Sequence, residues 1–323
     1  MTHHPALPAA PAPIDPGPFG ARLGAFVRGS FPLPLSLVFA AVWAVGATGL
    51  FAAADGRAEH WRPGWGTVVA AVTVLVDLLL LRTADDLRDL PYDRRHNPAR
   101  PLARGAVLPR DLYALAAAGA VLLLLLNAGN RAALLLIAAQ LAYTTLLVGA
   151  ELRFGWPRSD AVVTGVLLSS PVQILLNLYL YAVFLHDTGL GTGSVGRAGR
   201  QVVPLLLVIM LAATHHELAR KIVREPGPHE RTYVRVFGLR ATVVLALVFA
   251  AASAGVSLAV LRPWAGGAAG WWGWLALLPA VLAALAARSF TRAGAARWPV
   301  AAVAGYLPAV FVCHLLIGLG STS

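Results

Sequence analysis

Cysteine occurs once in the 323 residues, as Cys313. A single thiol excludes an internal disulfide and any multi-cysteine metal centre, and it reads as a small buried apolar residue. Lysine also occurs once, as Lys221, against twenty-five arginines. Charge of either sign is scarce: Asp, Glu, Lys and Arg make up 13% of the chain, and 58% is hydrophobic. That balance places the chain among membrane proteins. Period-two alternation is missing too, which argues against a transmembrane β-barrel.

What the chain has is nine continuous runs rich in Leu, Ala and Val, near 34–54, 66–84, 111–128, 132–149, 161–185, 201–219, 240–261, 270–288 and 298–319. About 20 helical residues cross a hydrocarbon core of about 30 Å, and a helix pairs its own backbone groups there. The expected fold is therefore all-α: a polytopic membrane protein with about nine transmembrane helices around a central cavity that opens to polar loops. Residues 1–20, "MTHHPALPAAPAPIDPGPFG", are expected to be a disordered tail, and 21–323 a single domain. No basic stretch followed by an apolar one opens the chain, so no cleaved signal is expected.

Twenty of the 26 basic residues fall in the N-terminal segment and after the second, fourth, sixth and eighth runs. By the positive-inside rule those segments are expected to be cytoplasmic, in a bacterial inner (cell) membrane. Topology thus accounts for most of the formal charge of +11, and no nucleic-acid partner is needed.

The second run ends in "RTADDLRDLPYDRRHNPARPLARG", residues 82–105, which sets Asp85, Asp86, Asp89 and Asp93 among six arginines. Placing an aspartate at the bilayer centre costs about 2.5–3.5 kcal/mol on insertion scales, so four near one helix end need cations or a metal to offset them. Asp85, Asp89 and Asp93 recur every four residues, which on a helix is one face, with Asp86 beside it. Pro91 is expected to break the helix near Leu90 and leave Asp93 in the loop. A divalent cation makes such crowding favourable, since Mg²⁺ takes one or two carboxylates and completes its shell with water and phosphate oxygens. The alternative is a solvated helix end whose acids pair with Arg82, Arg88, Arg94 and Arg95. The sixth run ends in "LAATHHELARKIVREPGPHERTYVRVFG", with Glu217, Lys221 and Glu225 at the same spacing and Arg220 and Arg224 alongside. A lone lysine in an arginine-rich chain suggests a compact point charge.

"DDLRDLPYD" resembles the first aspartate-rich motif, N-D-x-x-D-x-x-x-D, of the UbiA prenyltransferase superfamily, and "RPLARG" is similar to the Arg-Pro…Gly stretch that follows it. The likeness spans about residues 30–320, and nine helices with polar clusters after helices 2 and 6 agree with it. The resemblance implies a Mg²⁺-dependent enzyme acting on a prenyl diphosphate. It implies Mg²⁺ held by Asp86 and Asp89, with Asp93 or Glu217 contributing and Asp85 beside them. Arg82, Arg153, Arg220 and Lys221 are expected on the diphosphate, and Tyr143 matches a family tyrosine in helix 4. Two departures stand out: Asp85 replaces the usual asparagine, and the second motif, usually D-x-x-x-D, reads Glu217-x-x-x-Lys221. A protonated lysine is no metal ligand, so the second metal position is remodelled.

Ser170, Gln173, Asn177 and Tyr181 share one face of the fifth run and either bond a neighbouring helix or line a cavity. In a cavity, Gln173, Asn177, Tyr181 and Tyr143 would contact the prenyl chain or an acceptor. His215 and His216 either reach metal or are structural, and Asp77 either pairs with another helix or faces the cavity. "GTGSVG", Gly191 to Gly196, matches a glycine-rich fingerprint with no strand before it, and reads as a linker. Trp61, Trp65, Trp264 and Trp298 are expected as interface anchors. Two fates of an ionised prenyl group are open: transfer to a lipophilic, possibly aromatic acceptor, or capture by its own double bonds as in a membrane terpene cyclase. An ion or lipid transporter is disfavoured, because the acids sit at one membrane face and transporters bind near the midplane.

Overall fold

A computed structural model describes residues 17–58, 60–156, 162–190, 195–227, 230–265, 269–292 and 294–321. In chain order the helices are α1 (Phe19–Ser30), α2 (Leu33–Ala54), α3 (Trp65–His96), α4 (Pro109–Leu126), α5 (Arg131–Phe154) and α6 (Val162–Asp187). They continue as α7 (Val195–Ala219), α8 (Tyr233–Phe237), α9 (Leu239–Leu261), α10 (Leu278–Arg292) and α11 (Val300–Ser321), with a 3-10 segment, Gly270–Leu277, running into α10. Among the described residues, nine helical stretches are long and apolar enough to cross a membrane. The only strand-like pairing there is an isolated bridge between Val223 and Arg297. The chain is an all-α polytopic membrane protein.

The spans lie close to the apolar runs because a hydrocarbon core leaves a continuous run no alternative to a self-paired helix. One expectation fails at Pro91: α3 runs through the proline to His96, so Asp93 lies on the helix and not in a loop. Proline removes one backbone bond but does not end a helix whose last turn is held otherwise. Here the Asn97 N–H donates to the Asp93 carbonyl (2.8 Å), and Asn97 Nδ2 donates to Asp93 Oδ1 (2.9 Å). The tail reading falls mostly on residues outside those described, as does most of "GTGSVG". Trp65 and Trp264 are 79% and 61% exposed, as interface anchors should be, but Trp61 and Trp298 are buried. Trp298 instead packs on Phe290, 5.6 Å between rings.

Small residues set how closely the helices approach. In hydrocarbon, association depends on packing rather than on expulsion of water, so side chains that let backbones meet are favoured. A Cβ on Gly49 of α2 would lie 2.8 Å from the Leu315 Cα of α11, and one on Gly318 would lie 2.6 Å from the Gly49 carbonyl oxygen. Ala40, Ala44 and Ala47 continue the α2 seam, fully buried. Polar groups join the helices where they can: Ser253 Oγ donates to the Val208 carbonyl (2.8 Å), and Ser257 Oγ meets His314 Nε2 at 2.8 Å. Cys313 is buried and free, as a small apolar residue would be.

Gly49→Val is expected to force the seam apart and cost about 1–3 kcal/mol, read as a lower melting temperature of the detergent-solubilised protein. Gly255→Val, where a Cβ meets nothing within 4 Å, should melt like the parent. Equal melting of the two variants would contradict the packing role of the seam.

Candidate functional site

The end of α3, the first half of α6, the second half of α7, the segment leading into α8, and Leu307 of α11 enclose a cavity of about 590 Å³. Its mouth is charged. Arg82, Arg88, Arg100, Arg220, Lys221 and Arg231 line it together with Asp85, Asp89, Asp93, Glu217 and Glu230. Val162, Val166, Met210 and Leu307 supply an apolar wall, and Ser169, Ser170, Gln173, Thr214 and His216 lie among them.

On α3 the helical period sorts the acids. Asp85 and Asp89, one turn apart, both line the cavity, and their side chains are 58% and 35% exposed. Asp86, rotated about 100° from Asp85, does not line it. Its side chain is buried at 1% exposure, beside Arg82 (2.5 Å) and Arg100 (3.7 Å), and it accepts from Ser30 Oγ of α1 (2.7 Å). Asp93, seven residues on, shares Arg100 at 2.7 Å and still reaches the cavity wall. Arg88 pairs with Asp85 at 3.4 Å and with Glu151 of α5.

Across the cavity, Glu217 is crowded with donors. Arg220 pairs with it, Lys221 Nζ lies 2.8 Å away, and the Tyr233 hydroxyl donates at 3.0 Å. Lys221 also sits 5.2 Å above the Tyr233 ring. Burial, and then the Glu217 charge, push the Tyr233 phenol above its ordinary range, so it stays a neutral donor. Glu217 with Lys221 is thus a self-neutralised pair, and the surplus cation there is Arg220.

The remaining expected site residues divide. Gln173 lines the cavity. Asn177 is buried behind it, accepting from Trp43 Nε1 (3.1 Å) and donating to the Gln173 carbonyl (2.8 Å). The Tyr143 hydroxyl donates to the Leu168 carbonyl (2.8 Å), which ties α5 to α6 away from the cavity lining. Arg153 is exposed and lies over the Phe154 ring, 5.7 Å away. Tyr181 belongs to a second pocket, of about 410 Å³, with Phe51, Asp55 and Arg262. His215 is structural, its Nδ1 2.7 Å from the Ala246 carbonyl and its ring on Tyr306. Arg100 and Arg231 gain roles that the sequence pattern alone did not assign, and Arg88, an expected partner of the acids, pairs with Asp85 and also with Glu151 of α5.

Among the described residues no three His, Cys, Asp or Glu side chains gather as a ready-made metal cage. Asp85 and Asp89 nevertheless fit Mg²⁺. They open side by side on a wet cavity, and one or two carboxylates are what Mg²⁺ takes when phosphate oxygens and water complete its shell. Asp86, buried beside Arg82 and outside the cavity lining, and Glu217, covered by Arg220, Lys221 and Tyr233, fit less well. Comparisons with protein-family models, curated proteins and solved structures give no match to this chain.

Asp85→Ala and Asp89→Ala should leave melting within about 0.5 kcal/mol of the parent, as surface changes do. Asp86→Asn, which strips charge from Arg82 and Arg100, should cost about 1–3 kcal/mol. Thermal unfolding in detergent checks this, and equal loss in all three would refute the division of labour.

Proposed function

We propose that the chain is an intramembrane enzyme that ionises an allylic prenyl diphosphate and transfers the prenyl group to a lipophilic acceptor. One observation carries the reading: a single cavity joins a mouth of six cations and five carboxylates to an apolar wall. A prenyl diphosphate has that same division, a compact polyanion on a hydrocarbon. The one formal positive charge left over in the mouth complements a magnesium diphosphate, which carries about one net negative charge.

Departure of the diphosphate breaks its carbon–oxygen bond and moves negative charge onto the leaving oxygens. Preorganised cations aimed at that charge lower the barrier. Arg220 and Lys221, in the turn just past the end of α7, and Arg82 and Arg88 on α3 flank the space where it would build up. Asp85 and Asp89 would hold Mg²⁺, which when bound supplies further charge neutralisation. Val162, Val166, Met210 and Leu307 would shield the allylic cation from water, and Gln173 is the polar group placed to orient an acceptor. The membrane would be a bacterial inner membrane, with the N-terminus and the cavity mouth on the cytoplasmic side.

A cyclase is the second reading, and pairing in the mouth favours it. Asp93 and Glu217 are already bound to cations, so neither is poised as a base for an acceptor, and intramolecular capture needs no acceptor. Purified protein with Mg²⁺ and C10, C15 or C20 prenyl diphosphates, without acceptor, separates the two. Cyclic terpenes in high yield select the cyclase, diphosphate release that needs an added acceptor selects the transferase, and no pyrophosphate under either condition refutes both. EDTA should abolish turnover, and Asp89→Ala should lower it by about a hundredfold or more. Lys221→Met should lower it by about tenfold to more than a hundredfold, the worth of one charge-assisted hydrogen bond.

Orientation is checked by labelling intact cells. A cysteine replacing Arg95 should react only from the cytoplasm and one replacing Gly56 only from outside. Both positions are exposed, and buried Cys313 adds little background. Labelling of both from one side would overturn the topology.

A further inference from the structure

We infer that Arg231 is a diphosphate ligand which the substrate-free protein keeps masked on Asp89, so that the mouth of the cavity opens by an exchange of ion-pair partners. The inference rests on the prenyl diphosphate reading and deepens it. Arg231 lies in the segment leading into α8, 142 positions from Asp89, yet its Nη1 is 3.2 Å from Asp89 Oδ1. Its guanidinium also sits 4.0 Å above the ring of Tyr92, one turn beyond Asp89 on α3. The pair therefore bridges the two polar clusters across the cavity mouth, and all three side chains line the cavity.

The pair is built to exchange. Arg231 and Asp89 keep 25% and 35% exposure, and a partly wetted ion pair is worth only about 0–1 kcal/mol. Asp86 and Asp93, at 1% and 4%, would leave a buried charge behind if their arginines left, so Arg82 and Arg100 are held more firmly. A diphosphate offers a guanidinium more charge than a carboxylate does, and oxygens spaced for its planar fork. Tyr92 gives the guanidinium a face to rest on as it turns from one partner to the other. The neighbouring residue is fixed meanwhile: Glu230 accepts from the Gly227 N–H at 3.0 Å and pairs with Arg297, so the segment need not unfold.

The test uses inorganic pyrophosphate and the full-length protein in detergent with EDTA, read by titration calorimetry. Masking predicts that Asp89→Asn binds pyrophosphate at least about tenfold more tightly than the parent, and Arg231→Gln about tenfold more weakly. It also predicts that Asp89→Asn adds little in the Arg231→Gln background. An equal gain in both backgrounds would show that Asp89 acts only by its long-range field, and would overturn the masking. Unchanged affinity in Asp89→Asn, while the parent protein turns over prenyl diphosphates, would overturn it as well and leave the enzymatic reading intact. Absence of pyrophosphate binding in every variant, together with no turnover, would remove the diphosphate reading and the inference with it.

Discussion

Charge at the edge of a hydrocarbon core must be paired, and the arrangement of the cavity follows from that requirement. Eleven Asp, Glu, Arg and Lys side chains line one mouth. At about 4 Å, in an effective dielectric of about 20, two unit charges interact by about 4 kcal/mol, and withdrawing each ion from water costs several kcal/mol. Gain and loss nearly cancel, so such a set is stable only while every carboxylate keeps a cation beside it. Asp85 has Arg88, Asp89 has Arg231, Asp93 has Arg100, Glu217 has Arg220 with Lys221, and Glu230 has Arg297, while Asp86 behind the lining has Arg82. Near-cancellation also makes the set responsive, because an incoming polyanion would change partners at small net cost.

The two polar clusters then take different parts. On α3, Asp85 and Asp89 face the cavity with modest burial and can share a hard cation. On α7, Glu217 is covered by three donors, and the residue one turn later is a lysine. Arg220, Lys221 and the Tyr233 hydroxyl together surround the Glu217 carboxylate with donors. The cavity is asymmetric, with the acids suited to a metal on the α3 wall and the surplus positive charge on the wall opposite.

The spans and the face of Asp85 and Asp89 were legible in the sequence because both are local: hydrophobic length dictates the first and the helical period the second. Asp86 and Asp93 were not separable from them, since their surroundings depend on Ser30 and Arg100, which reach them from α1 and from the loop beyond α3. The continuation of α3 past Pro91 depended on the same loop. Arg231 was hidden by a sequence separation of 142. Tyr143, Asn177 and Tyr181 carry the polar pattern of a cavity lining, but a polar side chain between membrane helices is equally satisfied by a neighbour's carbonyl or indole, and only packing decides which. Arg153 fell outside because Glu151, two residues earlier, is the one that turns inward to Arg88.

A helix too short to cross the membrane supports the site from behind. Arg22 of α1 forms a two-pronged pair with Asp111 of α4, at 2.6 and 2.7 Å, which fixes one end of α1 against the bundle. At its other end, a Cβ on Gly29 would lie 2.5 Å from the Pro101 ring, so glycine is what lets α1 approach the loop that carries Arg100. Ser30 then reaches Asp86, and Asp86 holds Arg82 and lies near Arg100. The cations of the mouth are thus oriented through a buried carboxylate that never lines the cavity, and that carboxylate is positioned by a helix outside the spans. The four aspartates do two jobs: Asp85 and Asp89 face whatever enters, while Asp86 and Asp93 hold in place the arginines that meet it.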